Sequence, residues 1–344
     1  MKFKAAILVE CKKPLLIEEI SLNPLKEGQV LVKILKSGIC RSQIFEIDGE
    51  RGEDKWLPHL LGHEAIGLVV DIGKSVKKLK VGDQVIASWI RSKGISAEPA
   101  KYFLNNKIIN GGQITTFSEY SVCSENTLIP FKEQYIDLIG PSLGCAIPTG
   151  YGITITEEKI KNAKFIGISG LGGIGISALV GVKNNSKSNI VAIDINEERL
   201  KEALCIGSDF IANPNKLDLK EFVCDITKGK MLDILIECSG SIISLNNSLK
   251  LINDCGLVKF ASHPKFGELL TIDPFELIKG KRIEGSWGGS IKPDEDLNRI
   301  VNDIKNNNLF IEIMNQDIYG IEEINKAILD MREGKVLRPI LKFK

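Results

Sequence analysis

Phe165-Ile166-Gly167-Ile168-Ser169-Gly170-Leu171-Gly172-Gly173-Ile174-Gly175 decides the fold. An apolar strand ends at Ser169. The next six residues fit G-x-G-x-x-G, and an apolar stretch with helical spacing, residues 174–182, follows. That strand–turn–helix context is what a dinucleotide fingerprint requires. Gly170 permits the tight turn, Gly172 lets backbone approach a pyrophosphate, and Gly175 allows helix and strand to pack closely. The N–H groups and positive dipole end of the helix start then face phosphate. Asp194 closes the next strand about 20 residues further on. Its carboxylate can accept hydrogen bonds from ribose hydroxyls and would repel a 2′-phosphate. A glycine turn without a ligand is the bland alternative, and the strand, helix and acid together argue against it. Gly170, Gly172, Gly173, Ile174, Gly175, Asp194 and Ile195 are therefore candidate contacts to NAD rather than NADP.

Outward from the turn, strands and helices alternate. Residues 189–194, 210–212, 232–237 and 257–262 have strand character, and 197–206, 220–227 and 242–252 have helix character. That order implies βαβ units and a parallel sheet. Upstream, the first ~145 residues read as short strands broken by glycine turns, for example 30–35, 66–71 and 83–87. The polar stretch 91–113 reads as a long loop or small lobe. Downstream come helices near 297–306 and 321–333 and a terminal strand, 338–343. A chain of 344 residues holds about two domains. The net charge of +1 gives no reason to expect a nucleic-acid partner. No apolar run approaches the roughly 18 residues of a membrane span, and the first residues lack a signal-peptide core. A cytoplasmic location is expected. The eight cysteines are scattered without a C-x-x-C pair, which argues against a disulfide framework.

Three short motifs suggest a metal site: Ser37-Gly38-Ile39-Cys40-Arg41-Ser42, Leu61-Gly62-His63-Glu64 and Leu143-Gly144-Cys145-Ala146-Ile147-Pro148-Thr149-Gly150. Each alone is weak, because a buried Cys is usually structural and a single His is more often a satisfied polar residue. Only three histidines exist, however: His59, His63 and His263. A catalytic zinc takes three protein ligands, and Cys₂His is one such set.

These motifs come in order with Gly82-Asp83-Gln84-Val85, Thr116-Phe117-Ser118-Glu119-Tyr120, the glycine turn, Asp194-Ile195-Asn196, Glu237-Cys238-Ser239-Gly240, Gly280-Lys281 and Arg338-Pro339-Ile340. In this the sequence resembles the zinc-dependent medium-chain alcohol dehydrogenases over nearly its whole length. Cys₂His ligation is the set known for that family. The resemblance implies that Cys40, His63 and Cys145 are zinc ligands, with Glu64 as a nearby carboxylate able to approach the open position. It makes Ser42 the hydroxyl between substrate oxygen and cofactor ribose. It makes Arg41, Arg199 and Arg338 cofactor contacts, and sets Thr149 beside the nicotinamide. It implies a partly open, β-barrel-like (GroES-like) catalytic domain over 1–146 and 288–344, and a doubly wound NAD-binding Rossmann domain over 147–287. A homodimer or homotetramer is implied, with residues 283–286 and 257–262 as candidate edges.

The chain also departs from the family pattern. The four cysteines of a second, structural zinc are missing from residues 88–113, so one zinc per chain is expected. Gln43 stands where relatives often carry an Asp that supports the ligand histidine; its amide can accept a hydrogen bond from the imidazole without supplying charge. Phe45 replaces a histidine of some proton-release routes, and His59, four residues before His63, either contributes to that route or has a surface or packing role. By alignment Trp89 and Trp287 line the substrate pocket. Gly111 and Gly112 widen it, and Gln113 or His263 binds hydroxyls. The expected reaction is hydride transfer between NAD and an alcohol or ketone, with a polar secondary alcohol, polyol, cyclitol or sugar derivative as substrate. Two alternatives stay open: a zinc-independent NAD(P)H reductase of the same fold, and a non-catalytic dinucleotide-binding protein.

Overall fold

The structure, a computed structural model, describes residues 1–131, 139–315 and 317–344. The chain divides into two units, Met1–Cys145 with Lys292–Lys344, and Ala146–Ile291.

The first unit begins with ten strands: β1 (Lys2–Leu8), β2 (Leu16–Leu22), β3 (Gln29–Gly38), β4 (His59–Leu60), β5 (Glu64–Ile72), β6 (Gln84–Ser88), β7 (Lys101–Leu104), β8 (Lys107–Asn110), β9 (Tyr120–Ser124) and β10 (Leu128–Pro130). Among the described residues β1, β2, β7, β8 and β4 close into a barrel. Phe3, Ile7, Ile20, Leu60 and Tyr102 fill one core, and Val30, Val32, Ile34, Val69 and Val85 belong to another. Burying each such side chain contributes about 1.5–3 kcal/mol. The stretch 91–113 is more ordered than its polarity suggested, because β7 and β8 form a hairpin across it. Asn105 and Asn106 make the turn at φ of 48° and 66°. Asn accepts such angles, and an Asn pair between apolar runs is a hairpin signal.

Residues 88–98 are fastened by Glu125, a carboxylate only 2% exposed. Its Oε1 accepts the Lys77 and Lys78 N–H groups at 2.7 Å each, and its Oε2 accepts the Ile95 N–H at 2.8 Å. Burial works against its charge, but these N–H groups prevail and hold the carboxyl below its usual range. Lys78 Nζ donates to Ser92 Oγ and the Lys93 carbonyl, and Asp294 accepts the Lys93 N–H.

In the second unit, β11 (Phe165–Ser169), β12 (Asn189–Ile193), β13 (Phe210–Ala212), β14 (Leu232–Glu237), β15 (Ile252–Phe260) and β16 (Arg282–Gly285) form a parallel sheet in the order β13-β12-β11-β14-β15-β16. The helix expected over 242–252 stops at Asn247. A short 3₁₀ turn, Ser248–Lys250, follows, and Ile252 already pairs with Leu232. Because β15 pairs with β14 on one side and β16 on the other, residues 257–260 are interior to the sheet. They cannot be a pairing edge, which leaves that role to β16.

The chain returns to the first unit with the helix Pro293–Ile304. Leu297, Ile300, Val301 and Ile304 face inward at helical spacing, with Pro293 and three acidic residues in the first turn. β17 (Ile318–Tyr319) follows the helix Asn308–Asn315, β18 (Ile340–Lys342) follows the helix Ile324–Arg332, and the two complete a sheet ordered β10-β6-β5-β3-β18-β17, with β9 also on β3. Among the described residues no helix is long and apolar enough to cross a membrane.

Candidate metal centre and dinucleotide turn

Cys40 caps the helix Arg41–Ile47 just after β3, His63 immediately precedes β5, and Cys145 follows the 3₁₀ turn Pro141–Gly144. A Cβ on Gly144 would lie 2.3 Å from the Ala87 carbonyl and 2.9 Å from Glu64 Cβ. Only glycine lets the Cys145 segment approach that closely. Ser88 Oγ donates to the Gly144 carbonyl at 2.7 Å and fixes the approach. One ligand atom from each of Cys40, His63 and Cys145 then lies within 4.8 Å of the others. His63 Nε2 stands 3.3 Å from Cys145 Sγ.

The two buried thiols share a charge. A hydrogen bond from Cys145, then Arg338 and His63, pull the Cys40 thiol well down. The same contact with Cys40, together with burial, pushes Cys145 well up. Two buried sulfurs in contact beside an imidazole are a soft donor set that suits zinc. Glu64, fully buried, pairs with Arg338 at 2.6 Å. The contact is charge pairing rather than an aligned hydrogen bond, since neither carboxylate oxygen meets hydrogen-bond geometry. Burial raises the Glu64 carboxyl, and Arg338 opposes it. Arg338, a candidate cofactor contact, is 4% exposed and faces Glu64.

The amide of Gln43 differs from expectation. Its Oε1 accepts the Cys40 N–H at 2.9 Å, so its Nε2, not its oxygen, meets His63 Nδ1. Ser42 Oγ is buried without a hydrogen-bond partner, an orphaned hydroxyl in the residue next but one to Cys40. The Trp89 ring lies 6.4 Å from that of His63. Arg41 sits 5.8 Å over the Phe45 ring. A cavity of about 450 Å³ reaches Gln43 and His63, and Glu46, Arg51, Asp54, Trp56, His59 and Asn110 are in its wall with Gly111 and Gly112. Both nitrogens of His59 face acceptors, Asp54 and the Leu60 carbonyl. Gln113 Nε2 donates to Ser96 Oγ and the Ala97 carbonyl, which anchors its loop.

In the second unit Gly170 has φ of 83°, and a Cβ there would come within 2.5 Å of Ser239 backbone. A Cβ on Gly175 would stand 1.9 Å from the Gly170 carbonyl oxygen, whereas one on Gly172 meets nothing within 4 Å. The first two positions need glycine for packing, and the space at Gly172 fits an approaching pyrophosphate. Asp194 directly follows β12 and accepts the Leu171 N–H at 2.6 Å and the Asn196 N–H at 2.8 Å. It therefore ties the glycine turn to the next loop, with lone pairs left for a ribose. Ile195 beside it is 66% exposed. Arg199 pairs with Glu202. Thr149 Oγ1 is buried and unpartnered. Trp287 is 80% exposed, and exposed His263 has its Nδ1 against the Pro264 carbonyl.

Residues 26–133 match the alcohol dehydrogenase GroES-like domain, and residues 173–306 match the zinc-binding dehydrogenase family. The class-2 isozyme 2 of alcohol dehydrogenase from Oryctolagus cuniculus is 31% identical over 377 residues, spanning 99% of this chain and 98% of its own. The chain belongs to the zinc-type medium-chain alcohol dehydrogenases. Benzyl alcohol dehydrogenase from Acinetobacter calcoaceticus superposes with a TM-score of 0.86 at 25% identity over 100% of both chains. An alcohol dehydrogenase zinc-binding domain protein from Burkholderia ambifaria gives 0.87 at 24% identity over 100% of this chain and 99% of its own, a likeness of fold. This alcohol dehydrogenase is thus an oxidoreductase with a GroES-like domain and a Rossmann-type domain.

Proposed function

We propose that the enzyme transfers a hydride between NAD and a polar alcohol, a secondary alcohol, polyol, cyclitol or sugar derivative, at one zinc held by Cys40, His63 and Cys145. The observation that carries this is the convergence of those three side chains, with an orphaned hydroxyl on Ser42 two residues after Cys40. When bound, zinc supplies Lewis acidity toward an alcohol or carbonyl oxygen, and the nicotinamide supplies the carbon that accepts or donates hydride. Two thiolates and a neutral imidazole leave such a centre roughly neutral. Ser42 Oγ accepts the hydroxyl proton of the substrate and passes it outward. Glu64 and Arg338 compensate each other, so the thiolates face no net buried charge from that side. Asp194 binds the ribose hydroxyls and disfavours a 2′-phosphate, while Gly172 leaves room for the pyrophosphate.

Glu46, Arg51, Asp54 and Asn110 in the wall of the cavity that reaches His63 offer partners to a hydroxylated substrate that ethanol would not use. In a broad panel of alcohols, a polyol or other polar secondary alcohol should give the highest kcat/KM, and NADH should form faster than NADPH. Ethanol as the best substrate would defeat the substrate reading, and a preference for NADP would defeat the Asp194 argument. No turnover with any alcohol would favour the non-catalytic alternative.

A homodimer or homotetramer is also proposed. Among the described residues β16 leaves one edge of its sheet unpaired, and Phe266, Leu269, Phe275 and Ile278 are 57–78% exposed in the segment leading to it. An open edge beside apolar surface invites pairing with a second copy. Light scattering should return a multiple of the 37.9 kDa chain mass; a monomer at working concentration would refute the assembly.

A further inference from the structure

Two donors compete for one acceptor at Gln43. A backbone N–H can only donate, so the Gln43 atom 2.9 Å from the Cys40 nitrogen must be the amide oxygen. The amide NH₂ then faces His63 Nδ1. That nitrogen must accept, which puts the ring hydrogen on Nε2, where it points at Cys145 Sγ 3.3 Å away. The result is a continuous relay from Cys40 N–H through the Gln43 amide and the His63 ring to Cys145. Every polar atom in it is satisfied only while Nε2 keeps its hydrogen.

Nε2 is also the nitrogen that faces the two thiols, so it is the one that would ligate a metal. Ligation moves the ring hydrogen to Nδ1, which then confronts the amide NH₂. Turning the amide over does not help, because its NH₂ would confront the Cys40 N–H instead. Gln43 is only 2% exposed, so water does not relieve the mismatch. A carboxylate at this position would accept from both donors at once. We propose that Gln43 is a positioning residue that stabilises the metal-free centre in the tautomer opposed to ligation, and thereby makes this chain hold its metal loosely. The inference rests on the reading that Cys40, His63 and Cys145 form the metal centre.

Two measurements test it without recourse to activity. In Gln43→Glu, which keeps the side-chain length, competition between the protein and a chelator for Zn²⁺ should show about 10–100-fold tighter retention than in wild type, the usual scale for changed partners of metal ligands. Independently, ¹⁵N-histidine NMR of metal-free wild-type protein should report His63 as the Nε2–H tautomer; only three histidines need assigning. Equal Zn²⁺ retention by a folded Gln43→Glu variant would overturn the inference while leaving the metal centre standing. An Nδ1–H tautomer in the metal-free wild type would overturn it as well. Absence of Zn²⁺ binding by both proteins would remove the metal centre itself, and this inference with it.

Discussion

His63→Ala should abolish metal binding and cut kcat/KM by more than about 10³-fold, since the Lewis acid contributes several kcal/mol and each 1.36 kcal/mol is tenfold. The same is expected of Cys145→Ser. The imidazole supplies one of three donors that lie within 4.8 Å of one another, and two remaining sulfurs form a poor site. The fold should persist, because the surrounding strands are held by their own ladders and by contacts such as Ser88 to Gly144. Metal analysis and far-UV circular dichroism on the same samples make the test. Wild type should carry about one equivalent of zinc and the variants almost none, with unchanged spectra. Two equivalents in wild type would reveal a second site, and full metal content in His63→Ala would remove His63 from the ligand set. Chelator treatment of wild type should likewise abolish activity while preserving the spectrum.

Arg338→Met should cost about 3–5 kcal/mol of stability, the scale for stranding one member of a buried ion pair. Glu64 is fully buried and Arg338 nearly so, and the removed charge is the one that opposes the upward push of burial on the Glu64 carboxyl. In the variant that carboxyl rises further. A folded-state pKa above the unfolded one means that stability is full at low pH and is lost as pH climbs through the raised value. The deficit should therefore be small near pH 5 and deepest near pH 8, measured by urea unfolding of metal-free protein. Adding Glu64→Gln should restore much of the loss, because no charge is then stranded. A single variant within about 1 kcal/mol of wild type at the higher pH, or a deficit that ignores pH, would show that the pair carries little.

The parallel sheet was legible because its signals are local. The strand before Gly170 and the helix Glu197–Ile206 lie at the positions the periodicity indicated. The three metal-centre candidates also stood out as rare residue types in glycine-flanked motifs. What escaped the sequence was partnership across distance. Nothing local says that Arg338 turns to Glu64, since their meeting depends on β18 lying against β3 and β3 against β5. Nor does Gln43 announce which end of its amide faces His63; that follows from the Cys40 N–H claiming the oxygen. The partners of the Gln113 amide nitrogen were hidden for a similar reason, because they come from residues 96 and 97. The Asn105-Asn106 turn was readable and is the one local signal that the polarity of its surroundings hid.

The fastening of residues 88–98 by Glu125 also decides how this enzyme can fail. A thiolate cage loses its grip when its sulfurs are oxidised or its ion is stripped, and the loop it closes goes with it. A carboxylate gripping backbone N–H groups offers nothing to peroxide or to a chelator. Its weakness lies in acid, because a carboxyl held below its usual range stabilises the fold above that range and releases it once protonated. The hold on this loop therefore depends on pH and not on the redox state of any sulfur or on a bound ion.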